Sequence, residues 1–374
     1  MRFTINRRAL NKALTVVQRC LLKTSVNNTY TFILLNLDSK GLSLTASSAG
    51  LMTIKHTIPH VVNNEIVISN VEEGAILIKG DLLLELVRKL DGMSFVTLEV
   101  FDDTIVKIES ESFSATINGT DAAEYPDMNL DEDGEFLSLD ARKFVAVVDQ
   151  TCFAASTKDK PPLNAINFSI EGGVLDVTAT DTTKLARKTI SVSTNAKFAF
   201  NVAAKTADSI ARMAEDADIL RIYVNKNRAL FVFDNTKVFT QLVAADYPNT
   251  KSIRLQNATY RLEANTQLLI TALERVSALS ATQDRAVKLT LRKNDVKVST
   301  RDENNNSAIE KLAGIYYESE PLEVSCGFLN LATSLKALRC EDVVLEFTGE
   351  MRPFRVSNPH DDSISILITP VRLI

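Results

Sequence analysis

Few residues in this chain stand at spacings that chemistry would use. His56 and His60 are four apart, a spacing that on a helix aims two imidazoles at one metal ion. Pro59 lies between them and the preceding residues alternate like a strand, so no helical metal pair is expected there. Cys20, Cys152, Cys326 and Cys340 are scattered without a C-x-x-C pair and read as buried free thiols. The run Asp131-Glu132-Asp133-Gly134-Glu135 has the composition of a cation loop but lacks a partner set of carboxylates, and a solvated linker is expected instead. Phosphate-cradling G-x-x-x-x-G-K-[ST] and G-x-G-x-x-G loops and the G-x-S-x-G nucleophile turn are absent. The expectation is therefore a protein that is not an enzyme and needs no metal or cofactor.

Charge supplies the sharper signal. Between Asn6 and Lys23 the chain carries Arg7, Arg8, Lys12, Arg19 and Lys23 and no acidic residue, although its formal net charge is −5. A uniformly basic helix on an acidic protein points to a polyanion at that face, because Lys and Arg that neutralise phosphates release condensed counterions. The acidic remainder would repel the same polyanion elsewhere. Arg142, Lys143, Lys158, Lys160, Lys205, Arg212, Arg275, Lys336 and Arg339 are further basic candidates, mixed with Asp149, Asp208, Glu215 and Glu274.

The elements that must position these residues come in a repeat. One pattern is written three times, with a period of roughly 120 to 130 residues. Each copy opens with an alternating strand and a helix: Phe3-Thr4-Ile5-Asn6 into Arg7 to Lys23, Leu137-Ser138-Leu139-Asp140 into Ala141 to Ala155, and Tyr260-Arg261-Leu262-Glu263 into Ala264 to Leu279. Asn6 and Asp140 are natural helix N-caps. Hairpins follow, turning at Asp38-Ser39-Lys40-Gly41, Glu171-Gly172-Gly173 and Arg292-Lys293-Asn294-Asp295. The second half of each copy repeats the plan through Ile76 to Leu90, Phe198 to Met213 and Val324 to Leu338. The chain thus parses as α+β, in six modules of one helix plus antiparallel strands. The junctions Ala123-Glu124-Tyr125-Pro126-Asp127 and Ala245-Asp246-Tyr247-Pro248-Asn249 end strands at proline. They divide the chain into domains 1–128, 129–252 and 253–374.

A chain of 374 residues exceeds what one hydrophobic core usually serves, and 45 % hydrophobic with 24 % charged residues is an ordinary globular balance. No export leader and no apolar run of about 20 residues is present, so a cytoplasmic protein is expected.

The opening Met1-Arg2-Phe3-Thr4-Ile5, the paired Tyr-Pro junctions, Thr178-Ala179-Thr180-Asp181, Met351-Arg352-Pro353-Phe354 and the ending Thr369-Pro370-Val371-Arg372-Leu373 together resemble the bacterial β sliding clamp family, in collinear order along the whole chain. The resemblance implies three tandem clamp domains per subunit and a head-to-tail homodimer closed into a ring, with helices lining a hole for double-stranded DNA. It implies a processivity role, in which short peptides of the replicative polymerase, the clamp loader and repair factors dock on the ring. Carried over by position, Arg7, Lys12, Arg19 and Lys23 fall where DNA would be contacted, and Phe113, Ala278 and Leu279 at the subunit interface. The peptide pocket maps to Leu163, Thr180, Thr182, Lys184, Leu185, Pro248, Ile253, Asn330, Met351, Thr369, Pro370, Val371, Arg372 and Leu373. Family members usually carry Asp-Gly-His-Arg-Leu where this chain has Asp181-Thr182-Thr183-Lys184-Leu185, and an aromatic residue where Asn330 stands. Those departures imply a reshaped pocket. A clamp-like scaffold that binds partners without encircling DNA is the alternative reading.

Overall fold

A computed structural model describes residues 1–253, 255, 257–279, 286–301, 306–315 and 317–372. Six α-helices occur among the described residues, and each starts where a strand ends. They are α1 (Arg7–Val17) after Arg2–Asn6, α2 (Gly80–Lys89) after Gly74–Lys79, α3 (Ala141–Thr151) after Glu135–Asp140, α4 (Ala204–Met213) after Phe198–Ala203, α5 (Thr266–Ser277) after Tyr260–Asn265 and α6 (Phe328–Leu338) after Leu322–Gly327. Polar side chains fix three of these turns. The Asn6 carbonyl oxygen accepts from the amides of Arg8 and Ala9, Asp140 from that of Arg142, and Asn265 from that of Leu268. A cap of this kind is worth about 1 kcal/mol.

Helix ends depart from the periodicity. The spacing runs the first helix to Lys23, but α1 stops at Val17, and Arg19 and Lys23 lie beyond it. Cys20 explains the stop: its side chain turns into the core, 4 % exposed, with the thiol donating to the Ala46 carbonyl at 3.1 Å. The third helix likewise ends at Thr151 and continues only as a short 3-10 turn, Cys152–Ala154. Within α1 the buried residues Leu10, Ala13, Leu14 and Val17 follow the 3.6-residue period that lays one face on a sheet.

Among the described residues the strands pair antiparallel and form a five-stranded sheet, two eight-stranded sheets, a four-stranded sheet and a small hairpin. All three anticipated hairpin turns are present, joining Phe32–Asp38 to Gly41–Ser47, Ala165–Glu171 to Val174–Thr180, and Ala286–Arg292 to Asp295–Arg301. Both large sheets are made by two consecutive repeats. In one, Thr236–Gln241 pairs with Met52–Ile58, with Val238 opposite Ile54. In the other, Lys184–Ser191 pairs with Asp361–Ile368, with Ala186 opposite Ile366. By Cα proximity the chain divides into two compact units, Met1–Arg142 with Arg212–Leu242, and Lys143–Ala211 with Val243–Ile374.

The structure adds detail to one expectation and corrects another. The acidic run after the first Tyr-Pro junction is exposed, as expected of a solvated linker, and is also tied to the neighbouring strands. Glu132 accepts from Tyr223 at 2.8 Å and pairs with Lys237 at 3.0 Å, while Asp133 pairs with Arg228 and accepts from Asn225. Lys237 and Tyr223 hold the Glu132 carboxyl below its ordinary pKa. Of the four free cysteines, Cys20 and Cys326 are buried, but Cys152 and Cys340 are only half-buried. Burial pushes the thiols of Cys20 and Cys326 up to about 12.

The second large sheet carries an ion pair at its joint, where the buried Lys188 ammonium lies 2.7 Å from Asp361. Burial alone would raise the Asp361 pKa, but Lys188 and Ser363 outweigh it and hold the carboxyl below its usual value. A depressed carboxylate contributes stability at neutral pH that disappears as pH falls through the folded-state pKa, below about 3.9. Asp361→Asn should therefore cost about 1–2 kcal/mol at pH 7, discounted for its partial exposure. In urea unfolding the gap to the wild-type protein should narrow progressively as pH falls below about 3.9.

Candidate functional site

The basic helix divides into inward and outward charges. Arg7 is buried: its Nε donates to the Leu90 carbonyl at 3.2 Å and its Nη2 pairs with Asp91, so it ties α1 to the end of α2 and is not free for a ligand. Arg8, Lys12, Arg19 and Lys23 are exposed and have no ion-pair partner among the described residues. Lys12 stands near His56, whose pKa is lowered to about 4 by burial first and the Lys12 charge second. That imidazole is neutral at physiological pH, with Nδ1 2.8 Å from the Thr236 hydroxyl.

The fold adds residues that the sequence reading passed over. Arg88 donates to the Gln18 side chain at 2.9 Å, which brings the last turn of α2, with Arg88 and Lys89, beside the end of α1. Their position also suits the helix dipole, so sequence alone gives them two explanations. Several of the other basic candidates are neutralised within the chain: Arg142 by Asp140, Arg275 by Glu310, Lys336 by Glu274 and Arg339 by Asp149. Lys143, Lys158, Lys160 and Lys205 are exposed.

A second constellation gathers at the turn between Val174–Thr180 and Lys184–Ser191. The Asp181 carboxylate accepts from the amides of Thr183 and Lys184, both at 2.9 Å, and Thr180 donates its hydroxyl to the Lys184 carbonyl at 2.7 Å. Thr182 takes φ 79°, a left-handed conformation that a β-branched residue adopts only when its surroundings require it. The Thr180 amide donates to the Tyr247 hydroxyl at 3.0 Å, which fastens the second Tyr-Pro junction to this turn. Burial raises the Tyr247 pKa to about 12. From the far end of the chain, the Thr369 amide donates to the Thr183 carbonyl and the Val371 amide to that of Ser325, each at 2.8 Å.

The residues that set this chain apart at the turn bond to one another. Lys184 Nζ lies 2.5 Å from Asp181 and 3.1 Å from the Asn330 side-chain oxygen, and Asn330 Nδ2 donates to the Thr183 hydroxyl at 3.2 Å. Burial raises the Asp181 pKa, yet Lys184 and Thr183 outweigh it and the net shift is downward. Leu163, Leu185 and Pro370 are buried, Ile253, Met351 and Val371 offer exposed apolar surface, and Pro248, Thr182, Thr369 and Arg372 are exposed. Leu329, 58 % exposed beside Asn330, was not singled out from sequence. Leu373 lies outside the described residues.

Three models of the DNA polymerase III beta subunit match in tandem: its N-terminal domain at residues 1–131, its central domain at 138–249 and its C-terminal domain at 253–372. A beta sliding clamp from Halalkalibacterium halodurans is 30 % identical over 344 residues, covering 90 % of each chain. The chain belongs to the beta sliding clamp family. The family's fold is matched along the full length: the crystal structure of a DNA polymerase sliding clamp from Bacillus subtilis superposes with a TM-score of 0.92 at 26 % identity, each chain covered completely. A Pseudomonas aeruginosa sliding clamp crystallised with griselimycin shares the fold at 20 % identity, also with a TM-score of 0.92.

Of the expected clamp interface residues, Phe113 opens Phe113–Asn118, an outermost strand of the five-stranded sheet, beside a depression of about 470 Å³ that also reaches Phe95. Ala278 caps α5 and is exposed, as is Leu279. Ser307–Lys311, an outermost strand of the four-stranded sheet, carries Ile309 at 70 % exposure.

The two Tyr-Pro junctions differ at the tyrosine hydroxyl. The Tyr125 hydroxyl is buried with no hydrogen-bond partner among the described residues, whereas that of Tyr247 accepts from the Thr180 amide and donates to the Ala165 carbonyl at 3.5 Å. Tyr247→Phe should cost about 1 kcal/mol, and Tyr125→Phe should be neutral or stabilising. Thermal denaturation of the two variants compares them directly.

Proposed function

We propose that two copies of this chain close head to tail into a ring around duplex DNA and tether the replicative polymerase and other clamp-binding proteins to it. The observation that carries this reading is the tandem, full-length match to three clamp domains. In this role the protein is a processivity subunit with no catalytic site, acting in the cytoplasm, and its domains run to residues near 128 and 252.

The physics of such a ring favours weak contacts. Once closed, topology keeps the protein on DNA, so each phosphate contact need only be nonspecific and exchangeable, and base edges need not be read. Arg8, Lys12, Arg19 and Lys23, with Arg88 and Lys89, supply exposed charge of that kind. Two sheet edges support closure. An unpaired edge strand is a template for another chain, and Phe113–Asn118 and Ser307–Lys311 are such edges, with exposed apolar residues nearby. A head-to-tail interface uses different patches on the two sides and closes when the rotation per subunit allows it.

The Thr180–Lys184 turn, with the exposed apolar residues Ile253, Met351 and Val371, is proposed to receive partner peptides. Apolar side chains anchor such a peptide and a few polar groups fix its path. Here Lys184 offers a point charge instead of a planar fork, and Asn330 offers little apolar area. A clamp-binding peptide should accordingly bind more weakly than to typical relatives, and Lys184→Arg with Asn330→Phe should tighten it by about tenfold, near 1.4 kcal/mol. A peptide titration that finds unaltered affinity in the double variant counts against this account.

Negative-stain electron microscopy tests ring closure through closed two-chain rings with a central hole. Reversing the charge of Lys12, Arg19 and Lys23 together should abolish loading on circular DNA while rings persist. Indifference to that change would favour a scaffold that never encircles DNA.

A further inference from the structure

The repeat that builds the turn at Thr180–Lys184 builds a counterpart in the other compact unit. There Ser47 donates its hydroxyl to the Met52 carbonyl and accepts from the Gly50 amide, as Thr180 does with Lys184 and Thr182. Ala49 and Gly50 take φ 51° and 81°, matching Thr182 at 79°. The Gln241 amide donates to the Leu51 carbonyl at 2.9 Å, as Thr369 does to Thr183 at 2.8 Å. One strand tail thus crosses one turn in both places.

Among the described residues the charged network of Asp181, Lys184 and Asn330 has no counterpart at the first turn, whose other side-chain bonds join Ser47 to Thr53 and Ser48 to the Met52 carbonyl. The buried Met52 opens the strand after its turn, as Lys184 does, and pairs across the joint with Thr240 as Lys184 pairs with Ile368. What remains is a depression of about 540 Å³ between Gly50, Phe239 and the Asn225–Arg228 loop. A Cβ placed on Gly50 would meet nothing within 4 Å. Phe239 gives the depression an aromatic wall, Leu51 is 61 % exposed close by, and Lys226 is exposed with no ion-pair partner among the described residues.

The chain itself indicates what chemistry this face accepts. Asp133 seats its carboxylate on Asn225 at 2.9 Å and on Arg228, at one end of the depression. The segment leading there runs along the same sheet, with the Met128 sulfur 3.6 Å from the Thr53 hydroxyl and the Asn129 and Leu130 carbonyls accepting from Arg228 and Lys237. An extended stretch that mixes apolar and acidic side chains already lies against this surface. Lys226 remains unused beside it.

We propose that the depression beside Gly50 and Lys226 is a second peptide-docking groove, which takes an extended partner segment with acidic residues flanking an apolar one. The proposal rests on the reading of the Thr180–Lys184 turn as a peptide site, because equivalence between the two turns is half of its argument. The apolar side chain would lie against Phe239 and the acidic ones would meet Lys226 and the amides of the loop.

A labelled octapeptide alternating leucine and aspartate tests this on the full-length protein, with hydrogen–deuterium exchange to locate binding. The expected result is protection at residues 49–51 and 225–228, at least tenfold weaker binding to Lys226→Glu, and no binding of a leucine–lysine octapeptide. Protection confined to residues 180–184 and 369–371, or no binding of the acidic peptide, overturns the proposal. So does protection of residues 225–228 by a duplex oligonucleotide alone, which would assign Lys226 to phosphate. A clamp-binding peptide run in parallel separates the two readings: if it protects residues 180–184 while the acidic peptide protects nothing, only the second groove fails. If neither binds, the reading of the Thr180–Lys184 turn fails as well.

Discussion

Antiparallel pairing across repeat boundaries is the constraint from which the rest follows. A strand at the margin of a sheet leaves a row of amides and carbonyls unpaired, and two such margins are resolved inside this chain by joining one repeat to the next. Thr236–Gln241 takes Met52–Ile58, and Lys184–Ser191 takes Asp361–Ile368. Each joint fixes register, and a slip of one residue would turn every buried side chain outward. The turns beside the joints, at Ser47–Met52 and Thr180–Lys184, are held in unusual backbone conformations because strand tails from the neighbouring repeat bond to them. Sites made at such seams inherit the rigidity of a continuous sheet.

The same constraint explains which features could be read from the residues alone. Hairpins and helix starts are local: Gly172-Gly173 and Lys293-Asn294 supply turn conformations, and Asn6 and Asp140 cap the helices they precede. The three-fold repetition exposed them in triplicate. Helix ends were not local. The pattern through Cys20 and Leu21 continues the apolar period of α1, and only the Ala46 carbonyl on a distant strand turns that segment inward.

At the candidate sites the sequence shows the type of each residue but not its partners. Arg7 and Lys12 look alike in sequence, but one is held by Leu90 and Asp91 and the other faces solvent. The acidic run at Asp131–Glu135 is exposed, as its composition implies, but its counter-charges, Arg221, Arg228 and Lys237, sit about a hundred residues away on the adjoining strands and are not legible locally. Thr183, Lys184 and Asn330 looked like separate departures from a family pattern. In space they form one hydrogen-bonded group, so a change at any one of them alters the partners of the others.

His56 gives the basic face a property of its own. Its imidazole is pushed down to about 4 by burial and by Lys12, so it is uncharged near neutral pH. The positive charge of that face then comes from lysine and arginine side chains, whose ordinary pKa values lie above 10. A small acidification from neutral pH would therefore add no charge at His56. If DNA passes this face as proposed, the grip has no proton dial near neutral pH, and its strength answers to ionic strength instead.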